Sequence, residues 1–273
     1  MKKLKTIVVM PAYNAEATLR KTIAETPFDD VDEIILVDDR SQDETVNRAR
    51  AIVADHAKLT LSSSEYDASA DKILFTISRH DRNKGYGGNQ KSCYRLALEH
   101  GADIVVMLHP DYQYDPKLIT YFVAFIENGY FDVMLGSRIR SRREALAGGM
   151  PLYKYLANRV LSSIQNIVSG RNLSEWHTGM RAYKREVLEA IEYNQFSDDF
   201  IFDTQMLFAI VERDYLVGDI PVPVRYFKEA SSINLARSVR YGLLTLWETV
   251  KFSVRNSMLG ANRRSNKKRS DAL

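Results

Sequence analysis

The stretch VMLHPDYQYDP, residues 106–116, ends an apolar run on His109, Asp111, Gln113 and Asp115 at alternate positions and closes on Pro116. Imidazole, carboxylate and amide groups spaced this way offer nitrogen and oxygen donors to a divalent cation. A second acidic pair, Asp38 and Asp39, follows the apolar run EIILV at 33–37. Carboxylates drawn into one crevice repel unless a cation or hydrogen-bond donors compensate. A divalent ion between Asp111 and a diphosphate would do so, because magnesium and manganese take one or two carboxylates plus substrate phosphates. The chemistry these residues suggest is the handling of a nucleoside-diphosphate compound. Each piece also has a plainer use: Asp39 or Ser41 can cap a helix, and Gly85, Gly87 and Gly88 can form a turn.

Such residues must be delivered by a scaffold. Short β-branched runs occur at 6–10, 33–37, 72–77, 103–108 and 131–135, and stretches with helical spacing lie between them at 15–25, 42–56, 88–100 and 116–127. Alternation of this kind predicts right-handed crossovers and a mostly parallel sheet covered on both faces. Ligands bind beyond the carboxyl ends of such strands. Those ends carry Pro11-Ala12-Tyr13-Asn14, Asp38-Asp39-Arg40-Ser41, RHDRNKGYGGNQK (79–91), His109-Pro110-Asp111 and Gly136-Ser137-Arg138. The acidic ends of the second and fourth runs are expected side by side. No GxGxxG follows the first run and no P-loop is present, which disfavours a dehydrogenase-type dinucleotide fold.

Residues 62–71 read as a solvated loop and 141–149, charged then Gly-rich, as a mobile segment. Pro151 opens a helix with Leu152, Leu156, Val160, Ile164 and Ile167 at helical spacing. Another helix is expected at 200–213, a strand at 219–227 and an amphipathic helix at about 235–255. No repeat or linker interrupts the chain. One domain over 1–230 is expected, with a helix and basic tail over 231–273.

The 273 residues are 45% hydrophobic and 27% charged, with a net charge of +3, which gives no electrostatic case for a nucleic-acid partner. A lone Cys93 excludes an internal disulfide and suits a reducing compartment. The N-terminal MKKLKTIVVMPAYN begins like a signal peptide, but its apolar stretch is too short, and no window reaches the length of a membrane span. A cytoplasmic protein is expected. Leu235, Val239, Leu243, Leu246, Val250 and Val254 form a stripe, followed by Arg263, Arg264, Lys267, Lys268 and Arg269. The stripe either packs on the domain's own core or lies on an anionic membrane surface, aided by the basic tail.

In order, VVMPAYNAEATL, DEIILVDDRSQDET, RNKGYGGNQKSCYRLAL, DIVVMLHPDYQYDP, GSR and HTGMRAYKREVL resemble the family 2 inverting glycosyltransferases of GT-A fold, over residues 4–230. The branch looks like the dolichyl- or polyprenyl-phosphate mannosyl- and glucosyltransferases. That resemblance implies a nucleotide-diphosphate sugar (UDP or GDP) as donor, and a lipid phosphate or a saccharide as acceptor. It implies that Pro11, Tyr13, Asn14 and Glu16 line a nucleoside pocket and that Asp39 binds base or ribose. Lys84, Gly85, Lys91 and Pro110 join the donor-binding set. Asp111 and Gln113 match a D-x-D-x-Q metal motif for manganese or magnesium, while Arg138 and Arg181 contact phosphates. Glu175 falls near a family acidic position. His109 departs from the family, which has aspartate there: it ligates the metal, bonds a phosphate, or marks a lost activity. A hydroxyl acceptor would need a general base, with Glu175 or Asp199 as candidates; a lipid phosphate would need none. Two rivals remain. A nucleotidyltransferase would want a Gly-rich basic loop after the first strand, and a non-catalytic nucleotide-sugar binder would account for His109.

Overall fold

The computed structural model describes residues 4–62, 72–139, 142–147, 149–223, 225 and 235–270, without the side chains of 142, 235, 236 and 258–270. Eight strands form one sheet: β1 (Thr6–Ala12), β2 (Glu33–Asp38), β3 (Leu59–Leu61), β4 (Ile73–Arg79), β5 (Ile104–Met107), β6 (Val133–Ser137), β7 (Arg181–Lys184) and β8 (Val217–Pro221). Their order is β3-β4-β2-β1-β5-β7-β6-β8. All pairings are parallel except those of β7, which runs antiparallel to both β5 and β6. The helices are α1 (Glu16–Ala24), α2 (Thr45–Asp55), α3 (Gly85–Glu99), α4 (Ile119–Glu127), α5 (Arg142–Ala147), α6 (Leu152–Ser169), α7 (Arg185–Ala190), α8 (Phe202–Glu212) and α9 (Leu235–Ser270).

The central strands are apolar along their middles because both of their faces are covered. Ile7, Val9, Ile35, Val37, Val105 and Met107 pack with Tyr94, Trp176, Phe202 and Phe208. Their alternates, Val8, Met10, Ile34, Leu36, Ile104 and Val106, pack with Leu19, Ile23, Ile52 and Phe122. The period-2 geometry of a strand sends successive side chains to opposite layers, so each run feeds two cores.

Several details differ from the expectation. β1 lies between β2 and β5, so the acidic strand ends are not neighbours. β7, RAYK, is too short and too polar to read as a strand; its place at the sheet centre depends on pairing with β5 and β6. Residues 142–147 of the expected mobile segment form α5, the last strand spans 217–221, and residues 63–71 of the expected loop lie outside the described residues.

α6 and α9 are turned inside out relative to a soluble helix. α6 buries Asn158, Ser162 and Gln165. α9 buries Thr245, Glu248 and Thr249 along with Phe252. Exposed instead are Leu152, Leu156, Val160 and Ile167 (81%) on α6, and Val239, Leu243 (65%), Trp247 (57%) and Val250 on α9. The reason lies in what they pack against. α8 already covers the sheet, and the inward faces of α6 and α9 meet polar groups. Ser162 Oγ accepts from the Trp176 amide (3.3 Å), Asn166 Oδ1 from the Trp176 indole N–H (2.7 Å), and Glu248 from Gln205 Nε2 (3.2 Å). The core-packing alternative for the α9 stripe is therefore corrected.

Candidate active site

The loops after β1 and β2 are tied to each other. Asn14, at φ 52°, donates its amide to Ser41 Oγ (2.9 Å), and its side-chain oxygen accepts from the Gln42 amide (2.8 Å). The Glu16 amide donates to Asp43 (3.1 Å), and its carboxylate pairs with Arg48 (3.2 Å). Both residues shape the rim of the crevice. Pro11 is buried within β1, and Tyr13 turns its ring to solvent.

Asp39 is 3% exposed and its carboxylate is occupied. It accepts from the amides of Lys84 (2.7 Å) and Gly85 (3.0 Å) and from His80 Nδ1 (2.8 Å), whose Nε2 meets Ser92 Oγ (2.9 Å). Asp39 therefore positions the 83–85 turn. Lys84 is exposed. The glycines of that turn accommodate protein, not phosphate. A Cβ on Gly85 would stand 2.7 Å from the Asp198 carbonyl oxygen, and one on Gly87 2.5 Å from that of Ser197. Lys91 donates to the carbonyls of Asn194 and Phe196 and pairs with Asp198 (2.7 Å). Gly85 and Lys91 thus anchor the 194–198 segment.

Beyond β5, the Pro110 carbonyl accepts from Thr18 (2.6 Å) and Thr22 (3.3 Å), which seats the turn on α1. Tyr112 follows at φ 58°, and Asp115 caps the next turn through the Lys117 amide (3.1 Å). Asp111 is recessed but reachable from solvent, and its Oδ1 accepts from the Gln113 amide (3.1 Å). Burial pushes its carboxyl above the usual carboxylate range, although His109, that amide and Arg138 pull the other way. Gln113 is 5% exposed. Burial likewise lowers the His109 imidazole, against the pull of Asp111, so the ring is neutral at pH 7. His109 Nε2 lies 3.1 Å from the Tyr86 hydroxyl, and the two rings stack at 5.3 Å. Gly179 of the HTGMR motif packs against the imidazole, since a Cβ there would stand 2.9 Å from His109 Cδ2.

Across the crevice, the Arg138 side chain binds Glu175 through both Nε (2.9 Å) and Nη2, and its amide donates to the same carboxylate (2.6 Å). Nη2 also donates to the His177 carbonyl, and Asn158 Nδ2 donates to Glu175 (2.8 Å). Burial alone would raise the Glu175 carboxyl; Arg138 and these donors outweigh it and hold it below the usual range. A fully buried, fully bonded carboxylate of lowered pKa cannot serve as a general base. Glu175 is corrected as a base candidate. Asp199 is exposed at the turn into α8, with Oδ1 accepting from the Phe200 amide (2.8 Å).

Arg181 is also corrected. It is 0% exposed and bonds the carbonyls of Thr178 (2.9 Å) and Asp203 (3.1 Å), so it cannot reach a phosphate. Its guanidinium stands 3.8 Å from the Asp203 carboxylate, which also accepts from Tyr86 (2.8 Å) and Gln90 (3.3 Å). Tyr86, Asp203 and Asn158 went unread in the sequence. Tyr86 sat among glycines that drew notice for their flexibility, and Asp203 lay four residues beyond Asp199 in the same acidic stretch. His177 Nδ1 meets the Tyr241 hydroxyl (2.7 Å), and burial lowers its pKa to about 4. Among the described residues, no three His, Cys, Asp or Glu side chains converge as a metal cluster.

The family description "Glycosyl transferase family 2" matches residues 7–192. The UDP-N-acetylglucosamine–dolichyl-phosphate N-acetylglucosaminyltransferase of Methanococcus voltae is 25% identical over 243 residues, which cover 88% of this chain and 94% of that protein. In structure, the chain is similar to glucosyl-3-phosphoglycerate synthase from Mycobacterium tuberculosis in complex with UDP. The TM-score is 0.64 at 19% identity, covering 92% of this chain and 80% of that one. A complex of the same synthase with Mn2+ and UDP-glucose gives 0.62 at 19% identity, over 90% and 79% of the two chains.

Proposed function

The chain belongs to glycosyl transferase family 2, and on that premise we propose that it moves a hexose, with inversion, from a nucleotide-diphosphate sugar to a lipid-linked phosphate at a membrane surface. The observation that carries the donor reading is Asp111, a recessed carboxylate of raised pKa beyond β5, set within electrostatic reach of Arg138 beyond β6. One carboxylate, one neutral imidazole and donor diphosphate oxygens make a chemically suitable donor set for manganese. Asp111 would hold that ion, with His109 beside it. When bound, it would neutralise charge developing on the leaving diphosphate. Arg138, locked by Glu175, would present a guanidinium to the same charge at no reorganisation cost.

In the reaction proposed, an acceptor phosphate oxygen bonds to the anomeric carbon as the bond from that carbon to the β-phosphate oxygen breaks, and the nucleoside diphosphate leaves. A phosphate acceptor is already anionic, which agrees with Glu175 being engaged elsewhere. The dolichyl phosphate in the name of the Methanococcus voltae relative supports the same acceptor class. Melting curves with UDP- and GDP-sugars, with and without manganese, test the donor reading. The stabilising sugar nucleotide should do so only with the metal, and it should be consumed when polyprenyl phosphate is added. Binding without any turnover of donor would favour a non-catalytic binder, and turnover only with soluble saccharides would remove the lipid.

The inside-out pair α6 and α9 supports the membrane. Their inward faces reach the crevice, where Asn158 of α6 bonds Glu175 and Tyr241 of α9 meets His177. The basic residues of α9 run from Arg237 to Arg269 against one acidic residue, Glu248. No described helix is long and apolar enough to cross a bilayer, so contact through these helices would be peripheral. Each basic residue near an anionic surface contributes about 1 kcal/mol. The protein should therefore co-sediment with phosphatidylserine-containing vesicles at low salt and be released at high salt. Leu243→Glu with Trp247→Glu should abolish binding, and deletion of 262–273 should weaken it. Equal sedimentation of all three proteins, or a dimer that the double substitution dissolves, would overturn the membrane reading.

A further inference from the structure

We propose that Tyr86 and Asp203 set the ring tautomer of His109 and thereby make the cation site beyond β5 a mixed imidazole–carboxylate site that prefers manganese to magnesium. This rests on the reading of Asp111 as the carboxylate that holds a divalent ion.

The direction of the hydrogen bonds follows from counting protons. A carboxylate only accepts. Asp203 takes the Gln90 amide N–H at 3.3 Å and the Tyr86 O–H at 2.8 Å, with the Arg181 guanidinium 3.8 Å away. A phenol has one proton, and here it goes to Asp203. The Tyr86 oxygen can then only accept from His109 Nε2, 3.1 Å away, so Nε2 carries the hydrogen. In a neutral imidazole the lone pair is then on Nδ1. Among the described residues no protein group bonds that nitrogen, and Asp111 is the charge that acts most strongly on the ring.

The ring cannot readily turn over to exchange its nitrogens. Tyr86 stacks on it with planes 18° apart, and Phe200 backs Tyr86 at 4.6 Å. Gly179 crowds the Cδ2–Nε2 edge of the imidazole, where a Cβ would stand 2.9 Å from Cδ2 and 3.1 Å from Nε2. Partners that donate or accept at the far nitrogen commonly orient histidine ligands and raise their basicity. Here the chain Arg181–Asp203–Tyr86–His109 would do that for Nδ1. Imidazole nitrogen suits manganese, whereas magnesium favours all-oxygen coordination. Tyr86, Asp203 and Arg181 are thus positioning residues, and the fully buried arginine gains a role it could not have at a phosphate.

Long-range proton–nitrogen spectra of ring-labelled histidine, with His109→Gln for assignment, read the tautomer without metal. The wild type should show a protonated Nε2. In Asp203→Asn the new amide can donate to the Tyr86 oxygen, which turns the O–H toward Nε2 and moves the proton to Nδ1. Tyr86→Phe removes the acceptor altogether. Manganese binding, followed by loss of the free-ion electron paramagnetic resonance signal with UDP or GDP present, should weaken roughly 10–100-fold in both variants. Magnesium competition should change much less, and Asp111→Asn should lose both metals. A protonated Nδ1 in wild type, or variants that keep both tautomer and manganese affinity, would overturn the proposal. Wild type that binds no metal with either nucleotide would overturn the metal reading itself, and the metal-free spectra keep the two failures apart. Asp203→Asn decides the matter if Tyr86→Phe does not fold.

Discussion

Asp111→Asn is expected to lower sugar transfer on the order of 10³-fold, the size of effect seen when one preorganised electrostatic group is removed from a transition state. The loss should be kinetic, not structural. The carboxyl of Asp111 sits above its ordinary range because burial penalises its charge. A carboxyl raised on folding binds its proton more tightly in the native state, so ionising it costs stability as pH rises past its unfolded pKa. The amide removes that cost at neutral pH. The variant should therefore melt at or slightly above the wild-type temperature without ligands, yet lose the extra stabilisation that manganese plus nucleotide brings. Initial rates with the cognate donor, paired with melting curves, check both halves. Transfer within tenfold of wild type would place the reacting charge elsewhere.

Glu175→Ala is expected to cost about 3–5 kcal/mol, the range for removing one partner of a buried ion pair. The carboxylate is 0% exposed and satisfies the Arg138 amide, the Arg138 guanidinium and Asn158 together. Truncation removes a shared acceptor from all three. Urea unfolding at pH 7 should show the loss, and transfer should fall as Arg138 loses the carboxylate that orients it. The pH dependence has a definite sign. Glu175 is held below the usual carboxylate range, so its contribution is complete above an unfolded value of about 4.3 and is lost as pH falls through the folded one. Wild type should lose stability on acidification below that point more steeply than the variant. A cost under about 1 kcal/mol, with parallel acid limbs, would show that the pair does not hold the crevice together.

The two expectations differ in how far ahead of the structure they could be seen. Asp111 was visible in the sequence because its setting is local: an apolar run ends, and a carboxylate follows within four residues of Met107. The same holds for the sheet. Runs such as IVVM and IILV are apolar at consecutive positions, which a strand buried on both faces requires. Their alternation with helical spacing left few topologies open. Strand ends then mark the crevice whatever the sequence between them.

What only the tertiary structure decided are the pairings between distant positions. Arg138 finds Glu175 37 residues away, and Tyr86 finds Asp203 117 residues away. Nothing in the spacing of either partner encodes the meeting, so Arg181 and Glu175 read as groups for the substrate when they in fact serve each site's neighbours. Gly85 read as part of a turn, but what it makes room for proved to be the Asp198 carbonyl. Helical periodicity likewise established that α6 and α9 each have an apolar face, but not which way it points. A period is a property of one chain segment, whereas burial depends on what the rest of the fold has left uncovered. Here α8 had taken the sheet, and the surface that remained for α6 and α9 was polar.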